Sequence, residues 1–167
     1  MRTLIGAIGY RNLRDHSAAF EVLERLSRAR LAPGVVLEDL SYNPIALVQW
    51  LQEQAPDAQF DRVILISALQ RPGRIPGAFA AYPWDRIVPP DETVQRAITE
   101  AITGIISLDN TVAIAGYFRA LPADVTIVEI EPAEHAFGAE LSAVVERAVD
   151  AVTTLLCADA WQRDTTP

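Results

Sequence analysis

Apolar and polar positions change their period regularly along the chain. Residues Thr3–Ile8 form a short apolar run that breaks at Gly9, as a buried parallel strand does on entering a loop. From Ser17 the spacing turns helical, with Phe20, Leu23, Leu26 and Leu31 near one face and Glu21, Glu24, Arg25 and Arg28 on the others, until Pro33-Gly34 ends the segment. Residues 35–40 read as a second strand. Asn43-Pro44 then supplies an N-cap followed by proline at the first helical position, and the helix it opens runs through Trp50 toward Gln54. Pro56-Asp57 stops it. Val63-Ile64-Leu65-Ile66, between Asp61 and Ser67, is the clearest β signal and predicts a central third strand.

Residues 73–89 are rich in glycine and proline and read as a loop around a short edge strand near 77–82. Asp91-Glu92 places negative charge where a helix begins, and Val94, Ala97, Ile98, Ala101 and Ile102 continue its apolar stripe. A break at 104–108 precedes a second amphipathic segment that reaches Arg119; Pro122 separates it from a strand at 125–130, and a last long helix spans 140–156. Strands that alternate with helices in this way predict an α/β fold, a three-layer sandwich whose mostly parallel central sheet is covered on both faces. In such a sheet a site belongs at the carboxyl ends of the strands, here the first and third.

With 167 residues, half of them hydrophobic, the chain has the material for one domain, expected over residues 1–160, with a loose tail at 161–167. Its single cysteine, Cys157, cannot form an internal disulfide and reads as a packing residue. The absence of a leader-like opening points to the cytoplasm. The longest apolar runs, such as 63–68, fall far short of the roughly 20 residues of a membrane span. A net charge of −8, with the arginines scattered, argues against nucleic acid or an anionic membrane as partner.

Few motifs carry chemistry. Gly6-Ala7-Ile8-Gly9-Tyr10 is a partial dinucleotide fingerprint without its third glycine, and a plain strand-to-loop turn explains it better. Arg14-Asp15-His16 lies where the first strand gives way to the first helix. His16 reads either as a metal ligand or general base, or as a partly exposed neighbour of an Asp15 helix cap, since no second His or Cys stands at ligand spacing. His135, in the polar stretch 131–138, reads as a solvated loop residue. Ser67, at the end of the third strand, is placed to act but has no base that the sequence reveals.

Taken together, these segments resemble the hydrogenase maturation proteases, which trim the C-terminal extension of the large subunit of nickel-iron hydrogenases. The opening stretch 4–16 looks like that family's strand and Gly-Asn-x-x-x-x-Asp-(Asp/Glu) loop, with Gly9 and Asp15 kept; 60–68 looks like its central strand, which normally ends in Asp-Ala; and Ile75-Pro76-Gly77-Ala78-Phe79 resembles its Pro-Gly turn. Residues 107–122, 125–132 and the helix start at Leu141-Ser142 look like its C-terminal half. The resemblance implies a phosphorylase/hydrolase-like three-layer sandwich and a hydrogenase large-subunit precursor as partner.

The departures fall on the chemistry. In the family a Glu or Asp, an Asp and a His bind the nickel of the immature substrate. By position these correspond to His16, Ser67 and Gly104, with Asp109 as the third only if the alignment slips; Tyr10 stands where Asn is usual. A neutral serine and a glycine are poor ligands. The chain is therefore expected to bring no catalytic residue, no metal site and no cofactor of its own, to use Asp15, His16 and Ser67 for substrate binding, and to act as a binding or assembly factor. The alternatives are a working endopeptidase that rebuilds its metal site around His16 and a scaffold recruited to an unrelated partner.

Overall fold

The computed structural model describes residues 1–162, the last four by their backbone alone. The chain alternates strands β1 (Thr3–Ile8), β2 (Val35–Asp39), β3 (Arg62–Ala68), β4 (Phe79–Pro83) and β5 (Asp124–Ile130) with helices α1 (Ala18–Arg28), α2 (Pro44–Gln52), α3 (Asp91–Ile102), α4 (Leu108–Tyr117) and α5 (Ala143–Gln162). Among the described residues the strands form one sheet in the order β2-β1-β3-β5-β4. The first four are parallel and β4 closes the edge antiparallel to β5. This is the three-layer α/β architecture that the alternation predicts, with the β-branched run of β3 at its centre and buried along its whole length.

Side chains of a strand alternate between faces, and the core divides accordingly. Ile5, Ile64, Ile66, Val128 and Ile130 pack under α1 and α5 with Val22, Leu26, Val145, Val149 and Val152. Leu4, Ile8, Val63, Leu65, Val125 and Ile127 face the other way, against Leu47 and Leu51 of α2 and Leu108 of α4. The α3 stripe, Ala97 and Ala101, packs in turn on Ile114 and Ala115. At the exposed edge, β4 ends in Pro83, whose nitrogen cannot donate to a further strand. Asn43 caps α2 as predicted, its side-chain oxygen accepting from the Ile45 amide at 2.8 Å.

Two starts differ from the periodicity. α1 is preceded by a single 3-10 turn over Arg14–Ser17, and α5 begins at Ala143 rather than near 140. Both follow from one cause, described below: residues 131–142 are drawn onto the loop after β1 instead of continuing the helix. Residues 163–167 of the expected tail lie outside the described residues. Among those described, no helix is long and apolar enough to cross a membrane.

Candidate functional site

The carboxyl edge of the sheet begins with a close approach. A Cβ on Gly9 would lie 2.7 Å from the His16 carbonyl oxygen, so a glycine there lets the 3-10 turn fold back over the end of β1. The Gly9 amide donates to Ser41 Oγ at 3.0 Å, which ties the turn to the end of β2.

Asp15 is fully buried within this turn, and it is not the helix cap that its position suggests, for the cap residue of the turn is Leu13. Its carboxylate reaches across the molecule instead. One oxygen accepts from the Ala133 and Glu134 amides, each at 2.8 Å, and from Ser142 Oγ at 2.8 Å; the other accepts from the Ser142 amide at 2.7 Å. Backbone bonds from Arg14 N to Gly138 O and from Gly138 N to Asn12 O complete the seam. Three amides that the β5–α5 connection leaves without a helix or strand partner are thereby satisfied by one charge.

This seam sets His135 beside His16. His16 Nε2 and His135 Nδ1 are 2.8 Å apart, with ring centroids at 5.0 Å and planes tilted by 44°. His16 is half-buried and His135 exposed, and the His16 ring also hydrogen-bonds the Ala68 carbonyl at the end of β3. Burial of its ring lowers the His16 pKa, and the neighbouring His135 lowers it further, against the Ala68 carbonyl and Asp15, which raise it. Which of the two facing nitrogens donates across this hydrogen bond depends on the tautomer of each ring. His135 is thus no isolated loop histidine. The chain has only two histidines, and the fold brings them into contact.

Ser67 is buried at the end of β3, in register with Ile8 on one side and Glu129 on the other. Glu129, 1% exposed, is a functional-edge residue that the reading of 125–130 as a plain strand passed over. Its Oε1 accepts from Arg71 Nε at 3.1 Å, Arg71 Nη2 at 2.5 Å and Tyr82 Oη at 2.9 Å, and Arg74 Nη1 lies 2.7 Å from Oε2. Arg71 also grips Asp109 through two bonds of 3.0 and 2.7 Å, and its amide donates to the buried Glu131 at 2.9 Å. Burial alone would raise the Glu129 pKa, but bonds from Arg71, Arg74 and Tyr82 outweigh it and hold the carboxyl below its ordinary value. Tyr82 is pushed up by burial and by Glu129.

The other candidates stand apart from these clusters. Gly104, at φ +90°, sits in an exposed turn with open space around it. That turn is tied to the β1 loop by Tyr10, whose hydroxyl accepts from the Ile106 amide at 3.0 Å. Gly77, also at positive φ, makes the Pro-Gly turn, where a Cβ would meet Val144 at 2.8 Å. Trp84 tucks onto the core beside Gly116 rather than standing free, and with Tyr82, Ile87, Leu108 and Val112 it lines a largely apolar hollow of about 420 Å³.

The three positions assigned by resemblance to nickel therefore do not fit that ion. They bring one imidazole, one buried hydroxyl and one residue without a side chain. The nearby carboxylates are committed: Asp15 to amides, Glu129 and Asp109 to Arg71, Asp39 to Arg11 at 2.9 Å. Among the described residues no group of three or more His, Cys, Asp or Glu is arranged to hold a metal.

No family model and no curated protein matches the sequence. Solved structures do match the fold. An endopeptidase from Escherichia coli superposes with a TM-score of 0.71 at 18% identity, over 99% of this chain and 95% of its own. The hydrogenase maturating endopeptidase HybD from E. coli gives 0.68 at 17% identity, over 98% and 94%. A hydrogenase 2 maturation peptidase from Thaumarchaeota archaeon SCGC_AB-539-E09 gives 0.64 at 21%, over 93% and 95%. The fold of this chain is that of the hydrogenase maturation proteases.

Proposed function

We propose that the chain is a divergent hydrogenase maturation protease that binds a hydrogenase large-subunit precursor in the cytoplasm and serves its maturation as an assembly factor, without nickel-directed cleavage. One observation carries this reading: the whole scaffold is kept, while each carboxylate near its active edge is bound to an arginine or to backbone amides, and the positions that would grip nickel hold Ser67 and Gly104. A carboxylate already neutralised by a guanidinium or satisfied by amides is not available as a metal ligand. Under this reading Asp15 shapes the docking face by fixing residues 131–142, and His16 and Ser67 mark the strand ends that face the substrate.

The test is to incubate the purified protein with a nickel-loaded large-subunit precursor and to follow both complex formation and the mass of the precursor. The expected result is a complex with the C-terminal extension intact. Loss of the extension overturns the assembly role, and absence of any complex overturns the partner.

A second reading, a working endopeptidase with a rebuilt site, draws support from the contact between His16 and His135. Under it the extension is removed and His16→Ala stops the removal.

A further inference from the structure

We propose that the hollow between β4 and helices α3 and α4 is a binding site for a small organic cation, a primary ammonium carried on an aromatic or branched aliphatic body. The site is separate from the docking reading above and stands whether or not a precursor binds.

Three observations carry it. The first is shape. The hollow measures about 420 Å³, within the range of roughly 300–1,000 Å³ in which small ligands are held. Its walls come from four parts of the chain: Tyr82 of β4, Trp84 and Ile87 of the connection that follows, Thr93 of α3 and Val112 of α4. Apolar surface and polar groups thus surround one space instead of lining a strip, which suits a compact guest better than an extended peptide.

The second is that these walls are set before a ligand arrives. Trp84 is wedged against Gly116, where a Cβ would meet its ring at 2.8 Å. Asp109 is held by two bonds from Arg71, at 3.0 and 2.7 Å, and Asp85 Oδ1 accepts from the Ile87 amide at 2.9 Å. A site built in this way loses little binding energy to the ordering of its own side chains.

The third is polarity. Tyr82 donates its hydroxyl proton to Glu129 at 2.9 Å, so its oxygen has only acceptor capacity left. Asp85 and Asp109 are acceptors alone, and each keeps lone pairs beyond the bonds just named; Thr93 adds a hydroxyl of either role. Among the described residues that line the hollow two are aspartates and none is basic, and the Arg71 charge is shared between Asp109 and Glu129. The guest therefore has to bring the donors and the positive charge, together with an apolar body to cover Trp84, Ile87 and Val112. An anion would meet two carboxylates of its own sign. A hydrocarbon would strip water from the same carboxylates and give no bond in return.

The experiment titrates phenethylammonium into the purified chain at neutral pH and follows the backbone amides by nuclear magnetic resonance. The expected result is saturable shifts at Thr93, Val112 and Ala113 with a dissociation constant below about 1 mM, and at least tenfold weaker binding of phenylpropionate, which has the same ring and the opposite charge. Asp85 is exposed and outside the core, and asparagine retains the oxygen that accepts from Ile87, so Asp85→Asn keeps the fold. It is expected to weaken the cation at least threefold without weakening phenylpropionate. Val112→Trp fills the hollow and is expected to abolish the shifts in a chain whose thermal transition is retained. No saturable shift up to about 10 mM phenethylammonium, equal affinity for phenylpropionate, or unchanged affinity in Asp85→Asn overturns the proposal. Binding of an acetylated, amidated tryptophan–lysine dipeptide at least tenfold tighter than phenethylammonium overturns it as well, because the occupant is then a partner's side chain.

Discussion

On the β5 side of the sheet edge, Glu129 is closed in by Arg71, Arg74 and Tyr82; on the β1 side, His16 and His135 meet with one of the two rings exposed. Both clusters sit at the carboxyl ends of parallel strands, where open α/β sheets place their chemistry, but they are finished differently. Around Glu129 every charge has an opposite neighbour, and Arg71 is made still harder to deprotonate by its bonds to Asp109 and Glu129. The imidazole pair carries no opposing charge in contact, and its His135 ring is open to solvent. Position at the active edge is therefore not enough. What separates a structural cluster from a chemical one is whether its polar groups are already satisfied.

The sharpest way to break this contrast is to remove the seam that creates the open cluster. Asp15→Ala leaves three part-buried amides and a hydroxyl without their acceptor and is expected to destabilise the fold by about 3–5 kcal/mol. Urea denaturation followed by circular dichroism measures it, and a loss below about 1 kcal/mol would mean that water substitutes for the carboxylate.

The closed cluster can be opened with acid. The folded-state pKa of Glu129 lies below its unfolded value, so the stability it contributes is present above about pH 4.5 and is lost as pH falls from there through the folded pKa. Glu129→Gln is expected to cost about 2–3 kcal/mol at pH 7, where Arg71 and Arg74 lose a charged partner, and to have less effect at pH 3. Paired urea titrations at the two pH values check the sign: a cost that grows on acidification refutes it. The smallest effect belongs to the open cluster, where His135→Ala should alter stability by no more than about 0.5 kcal/mol, because its ring is exposed. A larger loss, read from the same denaturation curves, would make the pair a structural element like its neighbour.

The strands and most helices were legible in the sequence because their signals are local. The run Val63 to Ile66 needs no distant residue to declare itself, and neither does Asn43-Pro44 at the start of α2. The site was legible only in part, since its defining contacts join residues far apart in the chain. His16 and His135 are 119 positions apart, a distance at which spacing rules for metal ligands say nothing. Asp15 was readable as a capping residue, but the amides it caps belong to residues 133, 134 and 142 rather than to its own helix. Glu129 did carry a signal. A glutamate set among Ile127, Val128 and Ile130 in a buried strand end has to find a cation, and Arg71 and Arg74 lie just beyond the end of β3.

The bond between Asp15 and Ser142 spans 127 positions. Closing so long a loop is entropically costly and yields nothing until the intervening strands have paired, so this seam forms late, after the passage over the folding barrier. Replacing Asp15 should then accelerate unfolding while leaving the refolding rate nearly unchanged. The two imidazoles meet only when the last connection has been laid down, so their contact is a mark of the finished chain and of no earlier state.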